Sequence, residues 1–205
     1  MNTTALSLGL SLVAMLLGVG CTQRAHSPAK ATFIDVHEFG PGKVAAADVA
    51  KAHQADLAVQ GKHDVRFREY WVDEERGTVY CVSEANDADS VVATHREAHG
   101  LLPSRVAAVA SGAAAEIAAG GPGLYLDVHD LGPGKVTAAA VAEAHEKDLA
   151  AQGQFGVRFI NYWVDEASGR VFCLSQAPNG EAVRETHRHA HGLLPVSVAK
   201  VVRGE

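Results

Sequence analysis

Cysteine is almost missing from this chain: 205 residues hold three, Cys21, Cys81 and Cys173. So few cannot form a disulfide framework, so the body must be held by packing. Basic charge is also short. Eighteen Lys and Arg against 24 Asp and Glu leave a formal charge of −6. Neutralising phosphates needs a clustered basic face, so nucleic acid is excluded as a partner. After residue 21 no apolar run is long enough to span a bilayer. Nucleophile elbow, phosphate loop and HExxH motif are all lacking.

What is present begins with an apolar leader. "MNTTALSLGLSLVAMLLGVG" carries no charged side chain and is too short to span comfortably. It reads as a secretory signal peptide over residues 1–20, and "LLGVGC" as a lipoprotein signal with Cys21 as the lipidated residue. An ordinary cleaved signal or an uncleaved anchor are the competing readings, since the leader lacks Lys and Arg and has Gly18 where Leu is usual. On the lipoprotein reading residues 21–31 form a polar tether, and the body is exported to the periplasm, outer membrane or cell envelope on a lipid anchor.

That body is one unit written twice. A shift of 92 residues lays Phe33–Val109 on Tyr125–Val201 without a gap, with roughly 45 of about 77 pairs identical. The expected division is residues 32–110 and 123–205 as repeats, joined by a small-residue linker over 111–122 with little to pack. Within a repeat, "FIDVHEF" alternates like a strand and "VAAADVAKAHQADLAVQG" has helical spacing closed by Gly61. "VRFREYWVDEERGTVYCVSEA" reads as a hairpin turning at Gly77. Asp87, or Asn179, caps a helix that runs to His99 and stops at Gly100, and "SRVAAV" is a last strand. The order βαββαβ is the ferredoxin-like arrangement, an α+β fold. Its open sheet face would expose Phe67 and Trp71, so the two repeats are expected to join those faces as a pseudo-dimer within one chain, like a dimeric α/β barrel.

Histidine supplies the candidate chemistry. Four positions recur: His37 and His129 on the first strand, His53 and His145 on the first helix, His95 and His187 with His99 and His191 on the second. His95 and His99 lie one turn apart on a helix face and could share an ion. His99 could equally cap the helix C-terminus, and His95 could be a buried core histidine. Asp56 and Asp148, one turn beyond His53 and His145, could ligate or orient a ring, or form a solvated pair with it. Asp35 and Asp127 share a strand face with His37 and His129. If Val36 packs on the helices, that face points at the other repeat, so the strand and helix histidines would serve different sites. Cys81 and Cys173 read as small buried residues, with a thiolate ligand or a bond between them as alternatives.

At "DVH", "AHQADLAVQG", "VRFREYWVDEERGTVYCVSEA" and "HREAHG" the chain resembles a family of small bacterial nickel-binding, nickel-responsive proteins, often catalogued as a domain of unknown function. The likeness covers each repeat from end to end. It implies a ferredoxin-like dimer, here made internal, and metal binding by His37, His53 and His95 with His129, His145 and His187. His99 and His191 match a histidine ending the family's second helix. Glu84 is a further residue for the site, and its replacement by Gln176 in the second repeat would weaken that site if the carboxylate takes part. The duplication and the export signal are departures from the family.

The reading is an envelope-anchored transition-metal protein acting in sequestration or homeostasis. Nickel is the ion the resemblance implies, while imidazole and carboxylate donors also suit zinc and copper. The rivals are an enzyme using a cavity between the two sheets, with His37 and Asp35 as base and orienter, and a structural lipoprotein without metal.

Overall fold

The computed structural model describes residues 1, 29–112 and 114–205; all but the first residue of the expected signal peptide, Cys21 and most of the tether lie outside the described residues. Among the described residues no helix is long and apolar enough to cross a membrane. The first repeat runs β1 (Ala31–Glu38), α1 (Ala46–Val59), β2 (Arg66–Asp73), β3 (Thr78–Ala85), α2 (Ala88–Ala98) and β4 (Arg105–Ser111). The second runs β5 (Gly123–Asp130), α3 (Ala138–Ala151), β6 (Arg158–Asp165), β7 (Arg170–Ala177), α4 (Gly180–Ala190) and β8 (Ser197–Gly204). Each repeat is βαββαβ, as its patterning requires.

All strand pairing is antiparallel. The strands close into one barrel in the order β1-β3-β2-β8-β5-β7-β6-β4. Two seams join the repeats. At one, Trp71 of β2 faces Arg203 of β8, and Arg203 pairs with Glu69 at 2.6 Å. At the other, Ser111 of β4 faces Trp163 of β6. Closure removes both sheet edges, so none of these eight strands is left free to pair with another chain.

The barrel interior is apolar and filled. Ile34, Val36, Trp71, Leu126, Val128, Trp163 and Leu174 form its core, with the two indole rings 4.8 Å apart. Phe67 lies on the opposite side, with the helices. A bulge between Phe67 and Glu69 reverses strand parity, so Phe67 and Trp71 face opposite layers although four apart. The Phe67 N–H freed there donates to Gln60 Oε1 at 2.8 Å, and Phe159 repeats this with Gln152.

Helix ends depart from the expected pattern at one point. Gly61 does not stop α1; the chain tightens into a 3₁₀ turn over Gln60–His63 and reverses at Asp64, with φ +56. Gly156 takes that left-handed position in the second repeat. The other stops behave as expected: Asp87 and Asn179 accept from the N–H groups of Ser90 and Ala182, and Gly100 and Gly192 have φ +75 and +79. Gly77 must be glycine for a second reason, because a Cβ there would collide with the carbonyl of Gly40. That close approach, with Phe39 N–H donating to Gly77 C=O at 2.8 Å, pins the "GPGK" loop to the hairpin.

The joining segment has more to pack than its composition implies. Gly112 and Ala115 N–H groups donate to Tyr162 and Ile160 carbonyls, and Ile117 packs against the barrel core. Gln176 grips Ala118 twice, accepting from its N–H at 2.8 Å and donating to its C=O at 3.0 Å. A carboxylate could do only the first. Gln176→Glu should therefore lower stability by about 1–2 kcal/mol, the cost of an unmade bond. Glu84→Gln, at the equivalent position beside Arg68, should shift a urea midpoint little; equal effects would show that the grip is incidental.

Candidate metal centre

Both faces of β1 are buried, which decides where its polar residues go. Ile34 and Val36 take the barrel interior, so Asp35 and His37 point at the helices, not at the other repeat. The expected split between strand-borne and helix-borne histidines thus does not occur. α1 brings His53 and Asp56, and α2 brings His95 with His99 at its end, onto the same layer. Four histidines line one cavity of about 150 Å³ between helices and sheet, and the equivalent four line one of about 120 Å³ in the second repeat. The linings differ at Phe39 against Leu131 and Asp48 against Ala140.

His95 is the centre. It is 1% exposed and stands between two carboxylates that are also buried. Its Nδ1 is 3.0 Å from Asp56 Oδ1, and its Nε2 is 3.3 Å from Asp35 Oδ1 at an angle that makes no hydrogen bond. His37 Nε2 is 3.1 Å from the same Asp35 oxygen. In the second repeat His187 lies 3.0 Å from Asp148 and 3.4 Å from Asp127, and His129 lies 3.2 Å from Asp127.

Hydrogen bonding fixes what each ring can offer. Leu101 N–H donates to His99 Nδ1 at 3.1 Å, and Leu193 does the same to His191. A neutral His99 therefore carries its proton on Nε2, 3.3 Å from Asp56, and spends it there. His99 is thus both helix cap and support for Asp56. Asp56 in turn holds His95 through Nδ1, which turns Nε2 toward Asp35 and His37. This is the outer arrangement of a metal-bound histidine: carboxylate, imidazole, open nitrogen.

Several buried atoms on the open side have no partner. Asp35 Oδ2, His37 Nδ1 and His95 Nε2 are unpaired, as are both Asp127 oxygens and His187 Nε2. Unpaired buried polar atoms are costly and call for an explanation. His/Asp groups with donor atoms close enough to share an ion are Asp35–His37–His95, Asp56–His95–His99 and Asp148–His187–His191, and Asp127 and His129 form one with Cys173. His53 and His145 join no such group; His53 Nε2 is buried without a partner.

Of the remaining candidates, Glu84 faces away and pairs with Arg68, so the change to Gln176 touches the linker and not the site. Cys81 and Cys173 are free thiols in separate helix-side clusters, so no bond joins them across the barrel. Each lines its cavity, and burial with the neighbouring aspartates pushes both thiols well above their usual range. Sequence reasoning missed the Leu101 N–H, whose only signal is a backbone donor two residues past a helix-end histidine.

The carboxylates set the protonation. Burial acts to lower His95, but the flanking carboxylates of Asp35 and Asp56 outweigh it and push the ring up to about 9. His187 is pushed up to about 10 in the same way. The four aspartates have burial acting to raise them, but their histidine partners hold them below the usual carboxylate range. Burial lowers His53 and His145, against the pull of Asp56 and Asp148.

These shifts make the metal-free fold pH-sensitive. A ring held above its unfolded value stabilises the fold fully below about pH 6.5, and that stability is lost as pH rises through the folded value. The lowered aspartates act oppositely, their contribution vanishing as pH falls below about 4, and the lowered His53 and His145 disfavour the fold below about 6.5. With chelator present, the thermal midpoint should peak near neutrality and fall steadily from pH 7 to 10. The double change His95→Gln, His187→Gln should flatten that alkaline fall; a flat wild-type profile would mean that neither ring is charged.

Comparison with known proteins agrees with the repeat. Residues 33–109 and 125–201 each match the family described as nickel responsive protein SCO4226-like. The crystal structure of SCO4226 from Streptomyces coelicolor A3(2) is 37% identical over 40% of this chain and 100% of that one, with a TM-score of 0.38. A heme-binding protein from Thermus thermophilus is 6% identical, covering 85% of this chain and 92% of its own, with a TM-score of 0.42. No curated protein matches the chain. The family matches lie on the two βαββαβ units that carry the His/Asp clusters, and the chain belongs to the SCO4226-like family of nickel responsive proteins, with the family's unit present twice.

Proposed function

We propose that the protein binds divalent transition ions, one in each repeat, and acts in their sequestration or homeostasis at the cell envelope. The ligands are Asp35, His37 and His95 in the first repeat, and Asp127, His129 and His187 in the second. Asp56, His99, Asp148 and His191 hold those ligands in place. The observation that carries this reading is the set of unpaired buried atoms on Asp35, His37 and His95, with Asp56 already turning His95 Nε2 toward them.

Charge supports it. Two carboxylates and one imidazolium leave each buried cluster with one negative charge. A dication that displaces the His95 proton leaves it neutral, which lowers the cost of burial. Two imidazoles and a carboxylate suit nickel, zinc and copper alike, and copper leads on affinity. Nickel as the physiological ion is supported by the family's name. Export and anchoring are supported by the apolar leader and Cys21, with the tether "TQRAHSPAK" leaving the barrel free of the membrane.

Tag-free protein tests this by metal content and by calorimetric titration of Ni²⁺, Zn²⁺ and Cu²⁺. Asp35→Ala with Asp127→Ala should abolish binding. His99→Ala with His191→Ala, which removes only support, should weaken it about 10- to 100-fold. Affinity should rise with pH toward 9 as the His95 proton becomes easier to displace. If wild type binds none of the three below about 100 μM, the reading fails.

A further inference from the structure

The cavity in front of each cluster is larger than a single ion needs. At about 150 Å³ it has the size of cavities that hold a molecule of about six non-hydrogen atoms. His37 and His95 open onto it, while Asp35 lies behind them. An ion with three protein ligands and octahedral preference would keep positions open on that side. His53, 4% exposed, also lines the cavity with an unpaired Nε2 and belongs to no ligand group. At the lip stands Lys43, which has no carboxylate within ion-pair reach among the described residues; nearby Asp48 is taken by Lys51 at 3.3 Å. Lys135 repeats the lysine in the second repeat, where Ala140 replaces Asp48. The remaining wall is mostly apolar, with Val44, Val49 and Leu101.

We propose that each cavity takes a small bidentate carboxylate, of 2-hydroxy- or 2-amino-acid size, which completes the coordination of the ion. Its carboxylate and its 2-substituent occupy two open positions. His53 hydrogen-bonds its outer oxygen, its short carbon chain lies on the apolar wall, and Lys43 or Lys135 balances its charge. Charge requires such a lysine: the loaded cluster is neutral, so an anion arriving there needs a cation of its own. The protein then binds the metal as a complex, not as a bare hydrated ion. This rests on the metal reading above.

The test uses full-length mature protein loaded with Ni²⁺, with lactate and glycine as probes and acetate as a monodentate control. Lactate or glycine should shift the visible d–d bands of the bound ion at millimolar concentration, and should raise apparent Ni²⁺ affinity about tenfold. Acetate should do neither. Lys43→Ala with Lys135→Ala should keep Ni²⁺ affinity in the absence of lactate but lose the enhancement. His53→Ala with His145→Ala should lose it too. Ni²⁺ binding with bands indifferent to both probes overturns the proposal and leaves the metal site standing. Equal enhancement in the lysine variant, or equal lactate binding without metal, overturns it as well. Absence of Ni²⁺ binding altogether removes both readings.

Discussion

Two carboxylates can be buried under one helical layer here because a histidine stands between them. Asp35 and Asp56 come from different elements, β1 and α1, and are nearly inaccessible. Taking each charge out of water costs several kcal/mol, and only a paired, hydrogen-bonded partner offsets it. His95 stands between them: its Nδ1 is hydrogen-bonded to Asp56, its Nε2 lies 3.3 Å from Asp35, and His37 supplies the hydrogen bond to Asp35. The crossing of α1 and α2 over β1 is therefore tied to one ring: shift either helix and a charge is stranded. The second repeat depends on His187 in the same way.

Such a cluster is a poor device for stability alone. Apolar residues of similar volume are often neutral or better in place of a buried ion group, whereas removal of one partner is strongly destabilising. The cluster also leaves Asp35 Oδ2, His37 Nδ1 and His95 Nε2 unpaired, while Asp56 is bonded to both His95 and His99. A purely structural network would be expected to close on both sides. His37 and His95, which carry two of these atoms, line the cavity, and Asp35 lies behind them.

The barrel makes this possible by taking all the packing duty. Trp71, Trp163 and the aliphatic residues around them hold the two repeats together from within. The helix layer outside is then free to carry polar groups. It follows that the two His/Asp clusters lie on the outer faces of the sheet, each built from its own repeat. Fusion therefore contributes a fixed partner and a closed barrel, and among the described residues each His/Asp cluster draws on one repeat alone. Gln176 shows the fused chain adapting: the position that pairs with Arg68 in one repeat holds the linker in the other.

Much of this was legible in the residues. The repeat, the βαββαβ order, the caps at Asp87 and Asn179 and the histidines themselves follow from pattern and turn chemistry. The facing of β1 was not legible, because alternation assigns the apolar side to the core only when a strand has one buried face. β1 has two, and the drier one is the barrel interior, so Val36 goes inward and Asp35 goes to the helices. The bulge at Phe67 hides in the same way, since an inserted residue has no compositional mark. His99 was undecided between ligand and cap; the backbone N–H of Leu101 occupies its Nδ1, and its Nε2 stands beside Asp56 and His95. The general point is that sequence locates the chemistry-bearing residues, while their roles depend on which lone pairs the fold has already used. Here the fold uses both nitrogens of His99 and one of His95, and the one it leaves faces Asp35 and His37.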